Sequence, residues 1–186
     1  MKLNRNILTS FILLIVIASI YRVLPRPMGF APQIAMALFA GSVIRDRTFA
    51  FAIPLLSMFL SDLLYQALYS AGLTPIAGFY SGQLTNYILL TSLTVIGFFI
   101  RERKMADIAL GSVAGATVFF LISNFLVWTG GGGYGRPMTP QGLMMCYADG
   151  LPFYQTSIFA TLFFGAVLFG GYYLAGKARV LEAEVR

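Results

Sequence analysis

The chain of 186 residues contains no histidine, a single cysteine (Cys146) and few charged side chains, which make up 11% of its residues. Without histidine the chain lacks the commonest metal ligand and general base. One cysteine cannot form an internal disulfide. No apolar stretch holds a pair of carboxylates, and no serine or cysteine stands in an activating arrangement, so general acid-base chemistry has few candidates. We therefore expect no enzymatic activity, no cofactor and no metal ion.

What the chain has in abundance is apolar side chains. Hydrophobic residues make up 58% of the sequence, and the mean hydropathy is +0.79. This composition leaves too little polar surface to cover a water-soluble globule, so a lipid bilayer is the expected solvent. The net charge of +6 would suggest nucleic acid in a soluble protein. Here the charge flanks the apolar stretches, where it meets anionic headgroups, so we expect no nucleic acid partner.

The apolar residues fall into six stretches, which predict an all-α membrane protein of six transmembrane helices in a single domain, residues 1–186. The second helix is predicted to be short, because spanning the hydrocarbon core takes about 20 residues. Three prolines precede it, so irregular backbone is expected there. The predicted spans are residues 7–23, 33–44, 49–70, 84–100, 105–128 and 153–176.

Positive charge alternates between successive gaps in the apolar pattern. Ten of the thirteen cations lie before the first stretch or after the second, fourth and sixth, and only three lie in the other gaps. The positive-inside rule therefore places both termini in the cytoplasm and implies six crossings. The ten are Lys2, Arg5, Arg45, Arg47, Arg101, Arg103, Lys104, Lys177, Arg179 and Arg186; the three are Arg22, Arg26 and Arg136.

The longest polar segment, residues 129–152, lies in a gap assigned to the outside. It contains four consecutive glycines, residues 130–133, and then Arg136, Cys146 and Tyr147. Glycine reaches backbone conformations that other residues avoid, so this run is suited to be a hinge. We interpret residues 129–152 as an external lid loop over a ligand site.

Asp62 is the leading candidate for a binding residue, because an ionisable group inside a membrane helix is costly unless it faces a cavity or a partner. Helical spacing places Tyr65 and Tyr69 on the same face. Asp62 could instead be satisfied by an interhelical hydrogen bond or by an ion pair with Arg22 or Arg26. The sequence leaves the two interpretations open.

Other polar side chains converge near the predicted outer ends of the helices. Trp128 could equally be an interfacial anchor, and Cys146 could be either a ligand contact or a small buried apolar residue. With Asp62, Tyr65 and Tyr69, the candidate ligand-binding residues are Asn86, Asn124, Trp128, Arg136, Cys146 and Tyr147.

Small residues recur at a spacing that lets membrane helices approach closely. Most of them are expected to pack the bundle internally, and one stripe on the last helix could instead face a partner subunit. The candidates for helix packing or partner contact are Gly111, Gly115, Gly165, Gly170 and Ala175.

Three stretches carry a resemblance to a known family. They are FAPQIAMALFAG from Phe30 to Gly41, PLLSMFLSDL from Pro54 to Leu63, and SNFLVW from Ser123 followed by CYADGLPF from Cys146. In these stretches the chain resembles a family of uncharacterised bacterial membrane proteins related to the substrate-binding S components of energy-coupling factor (ECF) vitamin transporters.

The resemblance implies an S-component-like bundle in the bacterial cytoplasmic (inner) membrane. Such a protein captures a vitamin or similar small molecule at its outer face and then topples in the bilayer when an ATP-driven module docks. The first helix lacks the pair of alanines, four residues apart, that S components commonly use for this docking. The alternative interpretation is a structural subunit or assembly factor of a larger membrane complex.

Overall fold

The computed structural model describes residues 5–184, and within them the side chains of residues 9, 10 and 12–175. In this part of the chain the fold is entirely α-helical, with no β-strand. The cations Lys2, Arg5, Lys177, Arg179 and Arg186 have side chains outside the described set. The helices are α1 (Arg5–Val23), α2 (Gln33–Val43), α3 (Arg47–Ser70), α4 (Gln83–Ser92), α5 (Thr94–Gly97), α6 (Met105–Thr129) and α7 (Pro140–Glu184).

Helix α2 lies at the centre of the bundle. It packs against α3, α4, α5, α6 and α7, and all but one of its 11 residues are buried. At 1.5 Å per residue it is about 16 Å long, roughly half the thickness of a hydrocarbon core. Protein surrounds α2 itself, whereas much of the irregular segment that leads into it is exposed, with Leu24 53% and Met28 74% exposed.

The fourth predicted span, residues 84–100, is wrong as a single helix. Two short helices, α4 and α5, take its place, and Leu93 separates them. The amide of Leu93 donates to the carbonyl of Leu90, and that of Ile96 to the carbonyl of Leu93. Each of these hydrogen bonds joins residues three apart, so the backbone at the junction has the pattern of a 3₁₀ helix. Serine, threonine and glycine cluster here, and all three form helices less readily than leucine or alanine.

The predicted lid loop, residues 129–152, is also wrong in its extent. Helix α6 ends at Thr129 and α7 begins at Pro140, so the connection covers residues 130–139 only. Proline suits the first turn of a helix because it has no N–H to leave unpaired. The hydroxyl of Thr139 accepts a hydrogen bond from the amide of Gly142 at 3.1 Å, which caps the new helix. Residues 140–152 are therefore part of α7.

Three helices are long and apolar enough to cross a membrane, namely Arg47–Ser70, Met105–Thr129 and Pro140–Ala175. Two shorter apolar helices, Ile12–Val23 and Gln33–Val43, accompany them among the described residues. Large apolar side chains such as Phe159 and Leu110 are about 70% exposed, as expected for surfaces in contact with lipid. These features indicate a membrane protein, and six crossings remain a prediction.

The turns that carry the predicted cytoplasmic cations meet at one end of the bundle. The guanidinium of Arg47 lies over the ring of Phe98, 3.6 Å from its centroid. The hydroxyl of Ser42 donates to the carbonyl of Ile100 at 2.9 Å. These contacts join the α2–α3 turn to the segment between α5 and α6, so the cations of both segments lie near one another.

The small residues divide into two groups. Gly111, Gly115 and Gly165 are buried, and a Cβ added to any of them would press on a neighbouring helix or turn. For Gly115 that neighbour is Leu38 of α2, and for Gly165 it is Ser112 of α6. Gly170 has open space around it, and Ala175 is exposed. Only the first group packs the bundle internally.

Candidate ligand-binding site

A cavity of about 320 Å³ opens at the end of the bundle opposite the cationic turns. The end of α1, the start of α2 and the end of α6 contribute to it, because successive helices run in alternating directions. The volume is at the lower end of the range for small-molecule sites. The lining residues are Arg22, Arg26, Gly29, Ala31, Gln33, Ile34, Met58, Asn86, Leu90, Ala116, Phe119, Phe120, Ser123, Asn124, Phe153, Tyr154 and Ser157.

Gln33, the first residue of α2, is the most unusual of the lining residues. Its side chain is only 4% exposed, and neither its Nε2 nor its Oε1 has a hydrogen-bond partner among the described residues. Buried amides are nearly always paired, because leaving one unpaired costs about 1–3 kcal/mol. An orphan donor and acceptor on the wall of a cavity form the polar edge that a bound molecule would complete.

Arg26 lies beside Gln33 on the loop between α1 and α2. Its Nε donates to the carbonyl of Arg22 at 3.1 Å and its Nη1 to the carbonyl of Phe30 at 3.4 Å. Both acceptors are neutral, and no carboxylate among the described residues forms a salt bridge with Arg26. The loop thus holds a cation whose charge is not balanced.

Arg22, the other cation of the cavity, is balanced. Its Nη1 forms a salt bridge with Oδ1 of Asp62 and donates to the hydroxyl of Ser61 at 2.6 Å. Oδ2 of Asp62 accepts hydrogen bonds from Nε2 of Gln83 and from the hydroxyl of Tyr87, both at 2.6 Å. One carboxylate therefore ties α1, α3 and α4 together.

This network decides between the two interpretations of Asp62. The carboxylate is 2% exposed, its partners occupy both oxygens, and it is not among the residues that line the cavity. Of the two interpretations, the structure shows the second, in which Asp62 forms an ion pair with Arg22. Asp62 acts on the cavity through Arg22 and does not face it.

The tyrosines predicted beside Asp62 also lie outside the lining. Tyr65 donates its hydroxyl proton to the carbonyl of Arg22 at 2.7 Å, and its ring lies 5.7 Å from the Arg22 guanidinium. Tyr65 therefore holds the end of α1 in place. Tyr69, one turn further along α3, is 47% exposed.

Asn86 and Asn124 are the two predicted site residues that line the cavity. Nδ2 of Asn86 donates to the hydroxyl of Tyr80 at 3.0 Å. Nδ2 of Asn124 donates to the carbonyl of Phe120 in its own helix at 2.8 Å. Both side chains thus keep hydrogen-bonding capacity for a ligand. Asn86 lies on α4 and Asn124 on α6, two different walls of the cavity.

Trp128 and Arg136 fasten the connection between α6 and α7. Nε1 of Trp128 donates to the carbonyl of Pro137 at 2.9 Å. Arg136 binds both carboxylate oxygens of Asp149 on α7, at 2.8 and 2.9 Å. These hydrogen bonds raise the pKa of the Arg136 guanidinium above its ordinary value. Neither residue lines the cavity.

Cys146 and Tyr147 pack α7 against α6. Cys146 is buried, and its thiol lies 3.5 Å from the carbonyl of Asn124. The hydroxyl of Tyr147 donates to the carbonyl of Leu121 at 3.0 Å. Neither lines the cavity. In the part of the chain with described side chains, no three histidine, cysteine or acidic residues lie close enough to hold a metal ion.

Aromatic rings form the wall that α6 and α7 share. Phe120 and Tyr154 stack with their centroids 4.6 Å apart, and the hydroxyls of Tyr154 and Thr117 lie 2.8 Å apart. Phe119 and Phe153 extend this wall around the cavity. The site combines apolar faces with a few fixed polar groups, the usual composition of a small-molecule site.

Sequence reasoning missed Gln33 and the aromatic wall as site residues. A polar residue that opens a short, otherwise apolar helix after a proline-rich approach is the signal that could have indicated Gln33. The aromatic wall has no such signal, because phenylalanine is abundant in the chain, with 17 residues.

A family model of a family of unknown function, DUF6580, matches residues 2–183. The chain belongs to this family. No curated protein and no solved structure matches the chain significantly. The DUF6580 membership covers nearly the whole chain and names no activity, so function has to be argued from the cavity itself.

Proposed function

We propose that this DUF6580 protein is a membrane-embedded binding and uptake subunit for a small, vitamin-like solute, comparable to an ECF transporter S component. In this proposal it is a multi-pass, non-enzymatic protein of the bacterial cytoplasmic membrane. The observation that carries the proposal is the orphan amide of Gln33 on the wall of a cavity of about 320 Å³. A buried amide without a partner is costly, and binding a solute that pairs with it would recover that cost.

The alternative, a structural subunit or assembly factor, has one observation in its favour. The last part of α7 leaves Gly170 and Gly171 in open space, beside the exposed rings of Tyr172 and Tyr173. A partner helix could approach closely there. Co-purification of a large partner at fixed stoichiometry, independent of any solute, would favour this alternative.

The direct test is to purify the protein in dodecyl maltoside from its native host and identify bound small molecules by mass spectrometry. We expect one solute at near-stoichiometric amount. An empty protein that also binds no vitamin at micromolar concentration would contradict the proposed function.

Replacing Gln33 with leucine is expected to separate binding from folding. In the solute-free protein leucine removes the unpaired amide, so the midpoint of thermal unfolding should rise, while the amount of co-purified solute should fall at least tenfold. Gln155→Leu, at an exposed position of α7, is the matched control and should change neither. If Gln33→Leu destabilises the fold and leaves the solute bound, Gln33 is a structural residue.

Cysteine labelling in intact cells tests the predicted orientation. The native Cys146 is buried and should react slowly with a membrane-impermeant maleimide. A cysteine in place of Gly132, which is exposed on the connection between α6 and α7, should react rapidly from outside. Labelling of Gly132→Cys only after the cells are permeabilised would place this end, and the cavity, in the cytoplasm.

A further inference from the structure

The charges around the cavity restrict the kind of solute that fits it. Two guanidinium groups line it, and none of the described acidic residues does. Asp62, which does not line the cavity, neutralises the charge of Arg22. One positive charge, that of Arg26, is therefore left in excess. In a poorly solvated site an unbalanced charge interacts strongly with an opposite charge on a ligand.

Arg26 also has hydrogen-bond donors to spare. A guanidinium carries five N–H donors, and the two contacts described for Arg26 go to main-chain carbonyls. The same two contacts hold the Arg26 side chain against its loop. Binding an anion would therefore cost little further side-chain entropy. A planar group with two oxygens, such as a carboxylate, matches the guanidinium best.

Gln33 determines a second feature of the solute, besides the carboxylate that Arg26 would bind. Its amide offers one acceptor and two donors, all without partners among the described residues. The complementary group is one that has an N–H and a C=O side by side, as a cyclic amide, imide or urea has. The rings of Phe119, Phe120, Phe153 and Tyr154 then provide apolar faces on which a planar body can lie.

We infer that the solute is a monoanionic organic acid with a ring that carries an amide-like edge, its carboxylate held by Arg26 and its edge by Gln33. This inference rests on the proposed function and makes it more specific. The cavity has the volume of roughly ten water molecules, which suits a small acid.

The test compares molecules extracted from the wild-type protein and from variants purified in dodecyl maltoside, using mass spectrometry. Arg26→Gln should lower the bound acid about tenfold to a hundredfold, the usual worth of a hydrogen bond to a charged group. Gln33→Leu removes neutral hydrogen bonds to the amide-like edge and should lower the bound acid about tenfold. Arg26→Lys, which keeps the charge, should lose less than Arg26→Gln. Arg103→Gln, at an exposed position away from the cavity, is the matched control and should retain the wild-type amount.

Several results would overturn the inference. If the bound solute is neutral or cationic, or if Arg26→Gln retains the wild-type amount, the assigned class is wrong while the proposed function stands. If the molecule lost with Arg26 is a glycerophospholipid, the guanidinium binds a headgroup phosphate and not a free acid. If the wild type carries no solute, the proposed function fails and the inference fails with it.

Discussion

Replacing Asp62 with alanine is expected to destabilise the folded protein by about 3–5 kcal/mol, the usual cost of removing one partner from a buried ion pair. Asp62 is 2% exposed and the Arg22 side chain 15%, so the guanidinium would keep its charge with little water to solvate it. Gln83 and Tyr87 would lose the acceptor of their 2.6 Å hydrogen bonds as well. The measurement is the fraction of monodisperse protein that survives heating in detergent, followed by size-exclusion chromatography.

A double variant, Arg22→Leu with Asp62→Leu, distinguishes the charge effect from loss of the side chain itself. Replacing both members of a buried pair with apolar residues is often neutral or stabilising. The double variant should therefore be more stable than Asp62→Ala. If Asp62→Ala is as stable as the wild type, the carboxylate does not anchor the bundle in the way its contacts indicate.

The short second helix shows how much of the fold the sequence predicts. Residues 33–44 stand out because prolines precede a run too short to span the bilayer, and α2 occupies Gln33–Val43. Both signals are local in the sequence: the prolines interrupt helical backbone before residue 33, and the run that follows is too short to span the hydrocarbon core. Its burial at the centre of five helices is not local, and the apolar pattern does not reveal it.

The residues around Thr139 and Leu93 show where sequence reasoning fails. The polar, glycine-containing run predicts a loop up to residue 152, yet the cap at Thr139 starts a helix inside it. Residues 84–100 are predicted to be one span because apolar residues predominate along them. The break at Leu93 occurs where α2 packs closely against α5, a tertiary contact that hydropathy does not encode.

Of the nine candidate ligand-binding residues that the sequence predicts, Asn86 and Asn124 line the cavity. The sequence predicts Asp62 as a ligand-binding residue and leaves an ion pair with Arg22 open; the structure shows the ion pair, and Gln83 and Tyr87 from another helix bind its second carboxylate oxygen. The position of Gln33 at the start of a short apolar helix is a signal in the sequence, but it does not show that the amide is unpaired. Its importance comes from the absence of a partner, and that becomes visible only when the neighbouring helices are in place.

The contact between α2 and α5 predicts a second large effect, in the variant Gly41→Ala. A Cβ added at Gly41 would overlap the carbonyl oxygen of Thr94 and would lie 3.0 Å from the Cα of Gly97. Both obstacles are backbone atoms, which cannot rotate away as a flexible side chain would. The two helices would have to separate, so we expect a loss of stability at or above the upper end of the range of about 1–3 kcal/mol for overpacking.

Gly170→Ala is the matched control, since it places the same methyl group in a helix where nothing lies within 4 Å. Alanine favours a helix over glycine by up to about 1 kcal/mol, so this variant should leave the midpoint of thermal unfolding unchanged or raise it, while Gly41→Ala lowers it. Gly97→Ala should resemble Gly41→Ala, because its Cβ would overlap the carbonyl oxygen of Leu38. Equal midpoints of thermal unfolding for all three variants would mean that α2 and α5 do not pack as closely as their glycines indicate. The part of the cavity wall that α2 forms would then lie elsewhere.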